Sequence, residues 1–395
     1  MQLSSRIRQV SASLTIAITS RAAEMRAAGQ DVVSFGAGEP DFDTPQFIKD
    51  AAIGALQAGD TKYTPRKAKA LCQAISDKLQ KENNLNIPPD QVLVTFGGKH
   101  ACFSACQVVL DPGDKCLIPA PCWVSYPEMV KLAGAQPVIL ETGPQNHFKI
   151  TPQQILAAGK DAKAIFLNSP SNPTGMTYTP EELLAIGQAC IEADLFVFSD
   201  EIYEKLIYGN TRFVSFAALD DRLPQRTLTL NGLSKTYSMT GWRLGWAAGP
   251  KDVIDAMKCL HSHQTTNPVS FAQAGALAAY TDPRAADTLE TMRTEFETRG
   301  KHMAARLNSL DGVSCLQPTG AFYCFPDVSG LFGRTLKGHE ISDSMSFASA
   351  ALEEMSVALV PGIAFGADTC VRLSFATSMD QIDKGLDRLE QLLSA

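Results

Sequence analysis

The feature that most constrains this 395-residue chain is a set of seven apolar runs of strand length separated by helix-like segments. They are VLVTF (92–96), KCLIPA (115–120), QPVIL (136–140), AIFLN (164–168), LFVFS (195–199), TLTLN (227–231) and LGWAAG (244–249). Several are continuously apolar. A strand with one wet face alternates, whereas a strand covered on both faces does not. The pattern therefore predicts an α/β fold: a mainly parallel seven-stranded sheet with helices on both faces. Two of the intervening helices carry start signals, TPQQIL and TPEELL, in which Thr precedes Pro and then amide or acidic residues.

The length suggests roughly two domains. From about residue 284 the sequence turns charged and helix-forming (RAADTLETMRTEFETRGKHMAARLNSL). Shorter strand candidates, GAFYCFPD and VRLSFA, and a closing amphipathic helix, MDQIDKGLDRLEQLL, follow. The expected organisation is an N-terminal segment, 1–45, packing on the small domain or a partner subunit. A large domain, 46–284, and a smaller α+β domain, 285–395, complete it. A net charge of −7 and the lack of a basic run argue against a nucleic-acid partner. No apolar stretch approaches the ~18–20 residues of a membrane helix. The first residues carry arginines but no continuous apolar core or A-x-A site, which argues against a secretory signal; a transit peptide is a weak fit. Ten cysteines occur without a C-x-x-C pair, and His261 and His263 alone make a poor metal site. Neither a metal nor a disulfide framework is expected, and the expected compartment is the reducing cytoplasm.

Asp200 stands at the end of LFVFS, inside SDEIYEKLIYG (199–209). A carboxylate there is costly unless a positive partner meets it. Lys235 lies in NGLSKTYSMTGWRLGW (231–246), between charge-poor apolar stretches. A partly desolvated lysine has a lowered pKa and can form a Schiff base with an aldehyde. Ser234 beside it and Arg243 eight residues on supply a hydroxyl and a guanidinium suited to phosphate. In VTFGGKHACFSACQVVL (94–110), Gly97 and Gly98 stand between a strand and a helix start, where backbone N–H groups can cradle phosphate. Alone, that pair is more often a tight turn, and it matches neither a dinucleotide fingerprint nor a P-loop.

An aldehyde and a phosphate in one cofactor point to pyridoxal 5'-phosphate, whose ring nitrogen stays protonated against a buried carboxylate. Asp200 then has its cation. Tyr203, and Asn172 in SPSNPTG (169–175), are placed to reach the ring's phenolic oxygen. All of these fall at or beyond the carboxyl ends of predicted strands, where open α/β sheets bind ligands. Strand alternation turns Glu201 to the other side, so Glu201 and Glu204 are read as structural or solvated.

Taken together, GAGEPDF (36–42), NPTG (172–175), SDEIYEKL (199–206), SKTYSMTGWRLGW (234–246) and VRLSFA (371–376) resemble the fold-type I aminotransferases, class I/II. The nearest resemblance is to the bacterial-type aspartate aminotransferase branch, over nearly the whole chain. It implies a fold-type I α/β architecture and the following roles. Lys235 bonds the cofactor aldehyde and moves the substrate proton. Asp200 holds the pyridine nitrogen, and Asn172 and Tyr203 contact the phenolic oxygen. Gly98, Lys99, Ser234 and Arg243 surround the phosphate, and Trp123 stacks on the ring. Arg372 clamps the substrate α-carboxylate with help from the Gly38 backbone. Tyr63 reaches the phosphate of a neighbouring subunit, which implies a homodimer with shared sites. Read singly, Trp123 as core, Arg372 as a structural ion pair and Tyr63 as a surface residue are commoner; within the constellation those readings reverse.

The expected substrates are an amino acid, foremost aspartate, and a 2-oxo acid, 2-oxoglutarate. Lys99, Ser13 and Thr15 are candidates for the side-chain pocket, while Leu14 and Ile16 could favour apolar donors. Alternatives are transamination of aromatic amino acids, alanine or prephenate, or a lyase on the same fold. A transcription regulator reusing the fold would need a DNA-binding domain ahead of motifs that already begin near residue 36. One stretch departs from the family. After YTP the family continues roughly as xxGxPxLR, whereas this chain has RKAKALCQAI (66–75), with Arg66, Lys67 and Lys69 and a cysteine in place of the arginine.

Overall fold

A computed structural model describes residues 3–63 and 65–394, apart from the side chains of residues 65–67. All seven apolar runs form one sheet: β2 (Val92–Thr95), β3 (Lys115–Ala120), β4 (Gln136–Glu141), β5 (Ala164–Asn168), β6 (Phe196–Asp200), β7 (Thr227–Gly232) and β8 (Gly245–Ala248), after a short β1 (Val33–Ser34). Their order is β2-β8-β7-β6-β5-β3-β4. Only β8 runs against its neighbours, β7 and β2. β7 and β8 are buried throughout and β5 nearly so, as expected of strands covered on both faces. Edge strand β4 is the exception, with Ile139 43% exposed.

The helices of this part are α2 (Gln46–Gln57), α3 (Pro65–Asn83), α4 (Gly98–Val109), α5 (Ser125–Leu132), α6 (Pro152–Gly159), α7 (Pro180–Glu192), α8 (Lys251–Gln264) and α9 (Ser270–Thr281); α1 (Leu14–Ala27) precedes them. Both TP motifs are complete capping boxes. Gln154 N–H donates to Thr151 Oγ1 at 3.3 Å, and Thr151 N–H to Gln154 Oε1 at 2.9 Å. Thr179 and Glu182 repeat the exchange at 3.2 and 2.7 Å. Each box satisfies N–H groups the helix itself cannot.

α10 (Ala285–Asn308) leads into the last third, where β9 (Tyr323–Cys324), β13 (Val360–Pro361) and β14 (Val371–Ser374) form an antiparallel sheet. A two-stranded hairpin, β10 (Thr335–Leu336) with β11 (His339–Glu340), lies between, and α11 (Ser344–Met355) and α12 (Met379–Leu393) cover this part. β1 pairs in parallel with β12 (Val357–Ala358), which ties the N-terminal segment to the C-terminal third.

The atypical 66–75 stretch is part of α3. Cys72, at the place of the family's arginine, turns inward and donates to Val92 O at 3.5 Å, and burial pushes its thiol up to about 11. Lys69 is exposed; the Arg66 and Lys67 side chains lie outside the described residues. All ten cysteines are free. Among the described residues no helix is long and apolar enough to cross a membrane, and no cluster of three or more His, Cys, Asp or Glu is arranged to hold a metal.

Candidate active site

The carboxyl ends of β2, β3, β5, β6 and β7 share one edge of the sheet. β8 runs the other way, so its beginning lies at that edge and brings Arg243 there. A cavity of about 510 Å³ opens at this edge. Gly38, Gly98, Lys99, Trp123, Asn172, Asp200, Tyr203, Ser234, Lys235, Arg243 and Arg372 all line it, as do Ser13, Thr15 and Ile16. Tyr63 does not; it is 79% exposed. Leu14 is also off the lining.

Asp200 closes β6 and is buried. Its Oδ2 accepts from Tyr126 Oη at 2.6 Å, and its Oδ1 accepts from Ile202 N–H at 3.2 Å. Burial raises its pKa, against the pull of those donors and of the Lys235 charge. The carboxylate thus has neutral donors only as its direct partners. Lys235 follows β7 and donates to Gly38 O. Burial lowers its pKa to about 8; Glu39 opposes that shift, and Arg372 and Arg243 add to it. A measurable fraction of neutral amine is therefore present near pH 7.

The phosphate-like corner is built by backbone geometry. Gly97 has φ 86°, a backbone conformation that favours glycine, and a Cβ there would lie 2.8 Å from Arg243 Nη2 and push the guanidinium aside. Arg243 itself is left-handed at φ 55°, at a cost of about 1–2 kcal/mol for a residue with a Cβ. It is held by Thr240 O at 2.7 Å and Phe96 O at 3.4 Å. Helix α4 begins at Gly98, where the first N–H groups have no partner within the helix. Ser234 is buried and lines the same cavity.

Arg372 in β14 is buried between rings, its guanidinium carbon 4.5 Å from the Tyr323 centroid and 5.0 Å from that of Phe365. Nη1 donates to Asn172 Oδ1 at 3.0 Å and Nη2 to Gly36 O at 2.9 Å, while Nε is buried with no partner. The side chain is oriented at fixed points and retains donor capacity. Tyr203 Oη meets Tyr323 Oη at 3.0 Å, and burial, then Tyr323, pushes the Tyr203 phenol well up. Trp123 stands edge-on to Tyr126 at 5.3 Å, and Lys99 Nζ lies 5.0 Å over the Trp123 ring. Partial burial and then Arg243 lower the Lys99 pKa.

Sequence reasoning did not single out Tyr126, Tyr323, Gly36 or Glu39 as site residues. Tyr126 stands three residues beyond Trp123 in PCWVSYPE, and its N–H donates to Trp123 O at 3.1 Å in the turn that opens α5. Tyr323 belongs to GAFYCFPD, which reads only as a strand. Glu201 and Glu204 stay off the cavity and both are buried, which removes the solvated reading. Glu201 accepts from Ser199, Ser215 and Phe216 N–H at 2.8–3.0 Å. Glu204 pairs with Lys78 and Asn83.

A lysine of lowered pKa, a buried acid without a cationic contact and a shielded arginine share this one cavity. Residues 30–389 match the family model described as aminotransferase class I and II, and the chain belongs to that family. It is 48% identical to the aspartate aminotransferase of Bacillus subtilis (strain 168), over 100% of this chain and 99% of the relative. It is 49% identical to that of Geobacillus stearothermophilus, over 100% of both chains. Among solved structures, aspartate aminotransferase from Thermus thermophilus with maleate superposes at a TM-score of 0.93 and 40% identity, covering 100% of each chain.

Proposed function

We propose that this protein is an aspartate aminotransferase that works with pyridoxal 5'-phosphate and passes the amino group to 2-oxoglutarate. The observation that carries the reading is Asp200: a buried carboxylate whose direct partners are neutral donors, facing the same cavity as Lys235. A protonated pyridine nitrogen is the cation such an acid lacks. The donor set fits the rest of the group. Lys235 would hold its aldehyde, Gly98, Ser234 and Arg243 its phosphate, Asn172 and Tyr203 its phenolic oxygen, and Trp123 its ring face. When bound, the cofactor supplies a carbonyl that exchanges amino groups and a ring that takes up electrons from the substrate Cα.

The chain's own residues then have distinct tasks. Arg372, with its buried and unpartnered Nε, binds the substrate α-carboxylate, and the Gly38 backbone donates to the same group. The amine of Lys235, near pKa 8, takes the proton from the substrate Cα and returns it. Trp123 and Tyr126 cover the inner wall against water. Lys99 is the cation left over for a second carboxylate, which favours a dicarboxylic donor; the maleate of the Thermus relative is a dicarboxylate. Ser13 and Thr15 line the same cavity.

Tyr63, exposed and away from its own chain's cavity, is read as completing the site of a second copy in a homodimer. The division at residues 45 and 284 is supported by the containment of the seven-stranded sheet within 92–248 and of the three-stranded sheet within 323–374. Ten free cysteines favour the cytoplasm.

The test is a panel of amino acids given singly to the cofactor-loaded protein, ranked by the rate of 2-oxo acid release. Aspartate leads in this account, and Lys99→Ala lowers kcat/KM for aspartate by roughly tenfold or more while leaving alanine within a few-fold. A panel led by alanine or an aromatic donor, or a Lys99→Ala loss equal for both substrates, removes the aspartate assignment.

A further inference from the structure

His100, in the first turn of α4, lies outside the cavity lining. Its Nδ1 lies 3.2 Å from Phe96 N–H, and its Nε2 lies 3.0 Å from Gln264 Oε1. An amide N–H can only donate, so Nδ1 accepts and the ring proton sits on Nε2, donated to Gln264. The ring stacks on His261 with centroids 4.3 Å apart and planes 12° apart. Two parallel stacked imidazoles cannot both aim ring lone pairs at one metal ion, so this pair is not a metal site. His261 bonds in turn to Ser104 at 2.9 Å, and burial, with His100 next, lowers its pKa to about 4, leaving it uncharged against His100 at neutral pH.

The peptide groups that His100 fixes are those of the glycine turn. Phe96 N–H goes to His100 and Phe96 O accepts from Arg243 at 3.4 Å. Thr95 Oγ1 donates to Gly97 O at 3.0 Å, and Gly97 O also accepts His100 N–H at 3.0 Å. His100 therefore joins the turn, the start of α4 and, through Gln264, the end of α8. We propose that His100 is a positioning residue for the phosphate end of the cofactor: it locks Phe96, and with it the Gly97–Gly98 turn and Arg243, in the geometry that receives phosphate. The inference rests on the pyridoxal phosphate reading of the site.

The experiment titrates full-length, cofactor-stripped protein with pyridoxal phosphate, with pyridoxal lacking the phosphate, and with inorganic phosphate as competitor. Wild type, His100→Ala and His100→Asn are compared. His100→Ala weakens pyridoxal phosphate and inorganic phosphate by roughly 10- to 100-fold, the scale of one lost hydrogen bond to a part-buried amide. Pyridoxal affinity stays within a few-fold. His100→Asn, whose Oδ1 takes the place of Nδ1, recovers most of the loss. Equal weakening of pyridoxal and its phosphate, or no weakening in His100→Ala, or no recovery in His100→Asn, overturns the proposal. A wild type that binds pyridoxal but gains nothing from the phosphate overturns the phosphate-site reading itself.

Discussion

Replacing Lys78 by Met tests how the segment carrying Ile202 and Tyr203 is held. Glu204 is buried, contacts Lys78 Nζ and accepts from Asn83 Nδ2 at 3.0 Å. Burial pushes its pKa up, but Lys78, Lys205 and Asn83 outweigh that, so the net shift is down. A carboxylate with a depressed folded pKa stabilises the fold above its unfolded pKa of ~4.3 and loses that contribution as the pH falls. Without Lys78 the burial effect dominates, because Lys205 is already engaged with Glu82 at 2.7 Å. An uncompensated buried charge costs about 3–5 kcal/mol. An unfolding entropy of ~2.1 cal/mol/K per residue amounts to ~0.8 kcal/mol/K for a chain of this size, so Tm drops by about 4–6 °C near pH 8. The variant can relieve the strain by protonating Glu204, so its deficit against wild type narrows as the pH is lowered toward 5. Thermal unfolding of both proteins at pH 5 and pH 8 measures this. An unchanged Tm, or a deficit that does not vary with pH, would show that Lys78 does not compensate the Glu204 charge; adding Glu204→Gln to Lys78→Met should recover part of the loss at pH 8.

Two further outcomes follow from the same network and from the substrate clamp. Burial, and then Glu204, raises the Glu201 pKa to about 7, above its unfolded value. The folded state therefore binds the extra proton between ~4.5 and ~7, and this group's contribution to stability falls as the pH rises through that window. Glu201→Gln should flatten that part of the stability–pH curve, read by urea unfolding; an unaltered slope counts against the assignment. Arg372→Lys keeps a charge but loses the planar fork and its stacking, so kcat/KM for aspartate should fall by roughly 100-fold or more, read by steady-state kinetics. A loss below tenfold would remove Arg372 from the carboxylate clamp.

The sheet was legible because two-sided burial leaves an uninterrupted apolar signature. Each of the seven runs overlaps the strand it predicts, and LFVFS is offset by a single residue from Phe196–Asp200. That offset puts Asp200 inside the strand, in register with Asn168 and Leu230. Strand direction is not encoded in such runs, so the reversal of β8, which carries Arg243 to the ligand edge, came only with the structure. GAFYCFPD yields just two residues of strand, because a short strand at a sheet edge has too few positions to show a period. The residues bearing chemistry were visible as charges in apolar settings. Their neutral partners were not: Tyr126 is 74 residues from Asp200 in sequence, and Tyr323 is 120 from Tyr203. A tyrosine in an apolar segment reads as core until the fold reveals what its hydroxyl meets.

Lys235, across the cavity from Asp200, is proposed as the one lysine that bonds the cofactor. Its most direct test is borohydride reduction of the pyridoxal phosphate-loaded protein, followed by peptide mass mapping of wild type and Lys235→Ala. A single stable adduct is expected on Lys235 in wild type and none in the variant. An adduct on Lys99 or any other lysine instead, or an equally labelled Lys235→Ala protein, would contradict it.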